Sequence, residues 1–286
     1  MFMPRRVLEE KLREILAEDI GQGDITTGLI VPAQTAVEAE VVCKEAGVAA
    51  GIEEAKILLE SLDLKVEILV KDGERIRTQQ ILMKISGNAR TILSVERTLL
   101  NLVSRMSGIA TTTRNLTEKL RRSGAKARIA CTRKTAPGLL YFDKKAVQVG
   151  GGDTHRLHLD DMILIKDNHI AVAGSVEKAV KKAKEQASLS KKIEVEVTTV
   201  EDVLPAVEAG ADIIMLDNFS PKQTAKAVAF LKGKKLREKV LLEASGGITA
   251  ENVGVFASAG VDIVSLGEIT NNTKALDVSL EIVKLK

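Results

Sequence analysis

Tryptophan is absent from the 286 residues, and there are only one tyrosine, five phenylalanines, five prolines, three histidines and two cysteines. Cys43 and Cys131 stand far apart and show no CxxC spacing, which excludes a disulfide framework and a cysteine metal centre. No apolar run approaches the roughly 20 residues of a membrane span. The start, MFMPRRVLEEKLREILAEDIG, lacks the long apolar region of a secretory signal, so a reducing cytoplasm is the expected setting. Charge of one sign is also missing. With 42 basic and 39 acidic residues the net charge is only +3, which gives no case for a nucleic-acid or membrane partner. Any anion site must therefore be local.

What is present is a soluble composition, 45% hydrophobic and 28% charged, on a chain long enough for one large domain or two ordinary ones. Val7, Leu8, Leu12, Ile15 and Leu16 form a helical stripe that stops at the turn-rich DIGQGDITTG. The runs VEAEVVCKEAGVAAG, LKVEILVKDGERI and QQILMKISG read as strands, with a helix at EEAKILLESL, an order that suggests an antiparallel sheet with helices. A long helical pattern covers Ala89 to about Ser123. From Ala125 onward strand, loop and amphipathic helix repeat, and EAGADIIMLDN at Glu208 matches SAGVDIVSLGE at Ser258, as two βα units of one parallel barrel or sheet would. Two domains are expected, 1–110 and 111–270, with the final segment 271–286 a candidate to rejoin the first.

In parallel α/β folds the carboxyl ends of the strands line the site. Glu196, Asp217, Ser245 to Gly247 and Gly267 all fall at or near such ends. Ser245, Gly246 and Gly247 lie between a strand and a helix, where bare N–H groups favour phosphate, although glycine at such a turn is as often plain turn chemistry. Glu194 and Glu196 alternate with valine on one strand face. They are either inward acids satisfied by Lys or Arg or, beside a phosphate loop, ligands for Mg²⁺, the reading preferred here.

ACTRKTAPG, GGGDTHR and ILIKDNHI place Arg133, Lys134, His155, Arg156, Lys166 and His169 against apolar runs and glycines. Arginines converging there imply a ligand with more than one anionic group. Lys144, Lys145, Lys181 and Lys182, in charge runs or on helix faces, read as solvated surface. Asp160, Asp161 and Asp167 read as orienting partners for the cations. Spacing and cysteines give His155 and His169 no zinc ligand set.

Taken in order, EDIGQGDITT, ERTLLNLVSRMSGIAT, TRKTAPG, GGGDTHR, IKDNHI, EVEV, MLDNF, SGGI and LGEIT resemble the quinolinate phosphoribosyltransferase family over nearly the whole chain. The resemblance implies an N-terminal α/β sandwich, a C-terminal incomplete α/β barrel and a homodimer with sites formed between subunits. It implies conversion of quinolinate and phosphoribosyl pyrophosphate into nicotinate mononucleotide, CO₂ and pyrophosphate, on the de novo route to NAD. Carried over by motif, Arg97, Thr132, Arg133, Lys134, His155 and Arg156 would meet quinolinate. Lys134 and Lys166 would meet the phosphoribosyl donor, Glu196 and Asp217 the ribose hydroxyls and Mg²⁺, and Ser245, Gly246, Gly247 and Gly267 the phosphate. Three departures are visible: Cys131 where many relatives have an acid, Asp153-Thr154 where many have a residue followed by Asn, and Lys145 where an aromatic is common, the last read as surface variation.

Overall fold

The structure, a computed structural model, describes residues 3–285. Its backbone divides into two compact units: residues 1–114, 141–151 and 273–286 in one, and residues 115–140 and 152–272 in the other. The division falls inside the 34-residue helix Ala89–Arg122, and the helix Leu140–Val149 lies almost wholly in the first unit.

The first unit is built on a four-stranded antiparallel sheet. Its strands are β1 (Ala36–Cys43), β3 (Lys65–Ile68), β5 (Ile81–Asn88) and β12 (Val278–Leu285), in the order β12-β1-β5-β3. A small ribbon pairs β2 (Gly47–Val48) with β4 (Arg75–Ile76). In β1 the alternation is plain: Val37, Ala39 and Val41 are buried, with Glu38 and Glu40 on the other face. The first helix, Arg5–Ile20, buries Leu8, Leu12 and Leu16 but leaves Val7 half exposed, so its apolar stripe is narrower than the sequence suggests. Beyond it the turn-rich stretch contains a short helix, Ile25–Ile30, because the Asp24 carboxylate accepts a hydrogen bond from Thr27 N at 2.9 Å and caps it.

The surface assignment of two lysines is corrected here. Lys144 is fully buried, and Lys145 is nearly so, with Nζ 2.5 Å from Glu53, 2.6 Å from Glu54 and 3.9 Å from Asp72. The charge run misleads because the matching acids lie some seventy to ninety positions upstream in the chain. Lys181 is exposed and pairs with Glu177 one helical turn away, as expected of a solvated face.

The second unit carries six parallel strands: β6 (Arg128–Cys131), β7 (Ile163–Ile165), β8 (Ile193–Val197), β9 (Ile213–Asp217), β10 (Leu241–Ser245) and β11 (Ile263–Leu266). Their order is β6-β11-β10-β9-β8-β7, with Asp153 bridging to Ala130 outside β6, and no pairing joins β6 to β7: the barrel is incomplete. Register fixes which residues share a face. Glu194 pairs Ile213, Glu196 pairs Met215, Met215 pairs Glu243, and Asp217 pairs Ser245. These residues point one way. Their neighbours Val195, Val197, Ile214, Leu216, Leu242, Ala244, Val264 and Leu266 point the other way and are all buried. One face is thus wholly apolar, and the inner face carries the acids and hydroxyls.

Candidate active site

At the carboxyl ends of these strands lies a cavity of about 470 Å³. It brings together Thr132, Arg133, Lys134, His155, Arg156, Lys166, Glu196, Asp217, Ser245, Gly246, Gly247 and Gly267, every site residue expected from the sequence except Arg97. Arg97 lies in the first unit, exposed on the long helix. Cys131, fully buried at the end of β6, lines the same cavity.

The glycine turn is rigidly specified. Gly246 has φ of +88°, and a side chain there would put its Cβ 2.3 Å from Asn218 Oδ1. Asn218, itself at φ +55°, donates its backbone N–H to Ser245 O at 2.9 Å and its amide to Asp217 Oδ2 at 2.9 Å. Gly246 is therefore required twice, by backbone conformation and by close approach. Gly247 has φ of +60° with open space where a Cβ would sit, so its backbone is bare toward the cavity. At Gly267 a Cβ would lie 3.1 Å from Lys134 Cδ: the missing side chain lets the lysine stem lie across the strand end. Thr270 Oγ1 secures that loop by donating to Lys134 O at 2.7 Å.

The cations are held in different ways. Lys166 Nζ sits 2.7 Å from Glu196 Oε1, and Lys166 N donates to His169 Nδ1 at 2.9 Å, which makes His169 a local cap for the short helix Asp167–Ala173. Arg156 is buried, and that burial, with the nearby positive charge of Arg133, pulls its guanidinium below its usual range. Two like charges gathered on one cavity wall are the electrostatic mark of an anion site. Of the aspartates expected to orient these cations, Asp161 instead accepts from Leu157 N, and Asp167 from Asn168 N.

His155 is the unusual member. Its backbone is left-handed at φ +51°, held by a hydrogen bond from its N–H to Asp153 Oδ1 at 2.8 Å. Its Nε2 turns inward and lies 3.2 Å from an oxygen of Glu194 and 3.2 Å from one of Glu243. Burial opposes charge on this ring, but the two carboxylates overcome it and push the imidazole up to about 10. Neither contact meets hydrogen-bond geometry, so the attraction is that of an ion pair and not of a formed hydrogen bond. Burial also pushes the Glu194 carboxyl up, with the charge of Glu243 adding to it and His155 opposing. Glu194 is therefore satisfied neither by Lys nor by Arg. Glu243 and Ser265 were not singled out from the sequence, although Glu243 stands two residues before Ser245 in LLEAS and the period of a strand puts both on one face.

Glu196 and Asp217 are only partly buried, face the same cavity from adjacent strands, and have oxygens to spare beyond the bonds described. Two carboxylates with open positions fit Mg²⁺, which usually takes one or two protein carboxylates and fills the rest with substrate oxygens and water.

A parallel barrel that concentrates positive charge and a bare glycine turn at the carboxyl ends of its strands belongs with the barrel enzymes that handle phosphorylated substrates. Residues 24–107 match the quinolinate phosphoribosyl transferase N-terminal domain and residues 109–281 its C-terminal domain, so the chain belongs to the quinolinate phosphoribosyl transferase family. Among its relatives is the nicotinate-nucleotide pyrophosphorylase (carboxylating) of Mycobacterium leprae, 42% identical over 279 residues that cover 96% of each chain. The probable enzyme of that name from Archaeoglobus fulgidus is 47% identical over 262 residues, covering 92% of this chain and 99% of its own. The solved nicotinate-nucleotide pyrophosphorylase of Francisella tularensis superposes with a TM-score of 0.89 at 38% identity, covering 99% and 98% of the two chains.

Proposed function

We infer that the chain transfers the phosphoribosyl group of phosphoribosyl pyrophosphate to quinolinate, giving nicotinate mononucleotide, CO₂ and pyrophosphate in NAD biosynthesis. The observation that carries this reading is one cavity that joins Arg133, Lys134, Arg156 and Lys166 to two carboxylates and the Ser245–Gly247 turn.

Arg133, Arg156, Thr132 and His155 meet the two carboxylates of quinolinate, for which a planar guanidinium fork is suited. The bare backbone of Gly246 and Gly247, with Ser245 and Gly267, receives the phosphate, and Glu196 and Asp217 receive the ribose hydroxyls. Bound there, Mg²⁺ supplies positive charge to the pyrophosphate and orients it. The ring nitrogen attacks the anomeric carbon as the bond to pyrophosphate breaks, so positive charge grows on the sugar and negative charge on the leaving group. No side chain has to act as nucleophile. Lys134 and Lys166 stabilise the departing charge, while the site aligns two highly charged reactants. The carboxylate beside the quaternised nitrogen then leaves as CO₂. The carbanion it leaves, stabilised by that nitrogen, takes a proton from water.

The same proposal includes a homodimer in which Arg97 serves the neighbouring subunit's site, and a cytoplasmic setting. Among the described residues no helix is long and apolar enough to cross a membrane. The deciding assay is Mg²⁺-dependent formation of nicotinate mononucleotide from quinolinate. Nicotinate should be a far poorer substrate, since one carboxylate leaves part of the cationic wall unpaired. Equal turnover of both acids would remove the dicarboxylate assignment.

A further inference from the structure

Below the substrate cavity, one layer toward the amino ends of the strands, sits a cluster that the reaction leaves largely unused. Glu194 and Glu243 are both completely buried. All four of their carboxylate oxygens lack a hydrogen-bond donor, as does His155 Nε2 a suitable acceptor. Ser265 Oγ is in the same condition at 2% exposure, on the strand next to Glu243 and lining the same cavity as Glu243 and His155. One imidazolium facing two carboxylates leaves a net negative charge in the interior and one N–H for four oxygens, an expensive arrangement.

We propose that His155, Glu194 and Glu243 form a second metal site, for a divalent transition ion of the zinc class, distinct from Glu196 and Asp217. One ligand atom from each residue lies within 4.8 Å of the others. The 3.2 Å separations from Nε2 to the two carboxylates are those of adjacent ligands around an ion bound at about 2.1 Å. A neutral imidazole, two carboxylates and a doubly charged ion sum to zero, which removes the charge imbalance and occupies the orphaned lone pairs. An imidazole in the set favours a transition ion over Mg²⁺ or Ca²⁺, which prefer oxygen alone. The unpartnered Ser265 hydroxyl, lining the same cavity, is a candidate for the outer hydrogen-bonding support that metal ligands usually have. A separate cavity of about 570 Å³ at the amino ends of the strands, lined by Ile213, Leu241 and Ile263, also touches His155.

The three ligands come from widely separated parts of the chain, so no short spacing motif marks them in the sequence. Metal on Nε2 fixes the tautomer and leaves Nδ1–H as the ring's only donor. On the functional reading above, that donor serves a quinolinate carboxylate, and Glu194 and Glu243 become positioning residues. The site itself stands without that reading.

The test uses the full chain, free of any histidine tag and stripped with chelator, dialysed against Zn²⁺ alone with no Mg²⁺ and no substrate. One Zn²⁺ should bind per chain. Glu194→Gln and Glu243→Gln should each weaken it by about 100-fold or more, while Glu196→Gln and Asp217→Asn leave it within about threefold. X-ray absorption of the zinc-loaded wild-type protein should show an oxygen and nitrogen shell with one imidazole, a readout that does not depend on whether the variants fold. Absence of stoichiometric binding would overturn the proposal, as would a sulfur ligand or binding abolished by Glu196→Gln and retained in Glu243→Gln.

Discussion

Removing the ammonium of Lys145 would strand Glu54 and Asp72 in the interior of the first unit without their cation. Burial already pushes both carboxyls up; Lys145 is the chief opposition at Glu54, and at Asp72 it adds to the hydrogen bond from the Ile52 N–H. Lys145→Met should therefore cost about 3–5 kcal/mol in denaturant unfolding, the usual penalty for breaking a buried pair. The pH dependence has a definite sign. Losing the cation raises the native carboxyl pKa values further, so the native state binds more protons than the unfolded state above the ordinary value of 4.5, and stability falls as pH rises. The deficit against wild type should be smallest near that value and grow toward neutrality. Lys181→Met, on an exposed helical pair, should stay within about 0.5 kcal/mol. At Arg156 charge is not the decisive property. Arg156→Lys keeps the positive charge but loses the fork, and kcat/KM for quinolinate should drop by about 100-fold or more. A rate near wild type would make Arg156 a structural residue.

Among the elements, the turn after β10 separates two glycines that look alike in sequence. Gly246→Ala combines a left-handed backbone with a 2.3 Å clash against Asn218, whereas Gly247→Ala meets only the backbone cost. Gly246→Ala should raise KM for the phosphoribosyl donor and destabilise by roughly 1–3 kcal/mol, against about 1 kcal/mol for Gly247→Ala, read by steady-state kinetics and thermal unfolding. The elements were legible wherever a period was long enough to see. The helix Ala89–Arg122 and the alternation in IEVEV are examples, and Glu196 and Asp217 could be placed because they end apolar strands. What stayed hidden depended on partners distant in the chain. Lys145 looks solvated until Glu53, Glu54 and Asp72 are brought to it, and Glu194 gives no sign that it faces a histidine and not a lysine. The helix Ile25–Ile30 was missed because a single Asp24 cap outweighs turn-rich composition.

For the whole molecule, the proposed sharing of sites between subunits has a quantitative signature. Arg97→Ala and Lys134→Ala should each be nearly inactive alone. In a mixed dimer, one site takes Arg97 and Lys134 from the two unaltered positions and is intact, while the other carries both lesions. Random reassociation of equal amounts after unfolding and refolding should restore about a quarter of wild-type activity, as a two-fold arrangement requires. No recovery despite demonstrated subunit exchange would confine Arg97 to its own chain.

The pairing of β1 with β12 also bears on how the protein is made. Cys43 pairs Val278, Val37 pairs Leu285, and Lys44 reaches Glu281, 237 residues further along the chain. A ribosome adding about 5–20 residues per second needs on the order of tens of seconds to cover that span. Throughout that time the outer edge of β1 has no partner, while the six strands of the barrel, which all lie between β1 and β12 in the chain, are made one after another and can pair. The first unit to begin synthesis is thus the second to be completed, and its open edge is the part of the nascent chain most exposed to wrong pairing with a neighbour on the same messenger.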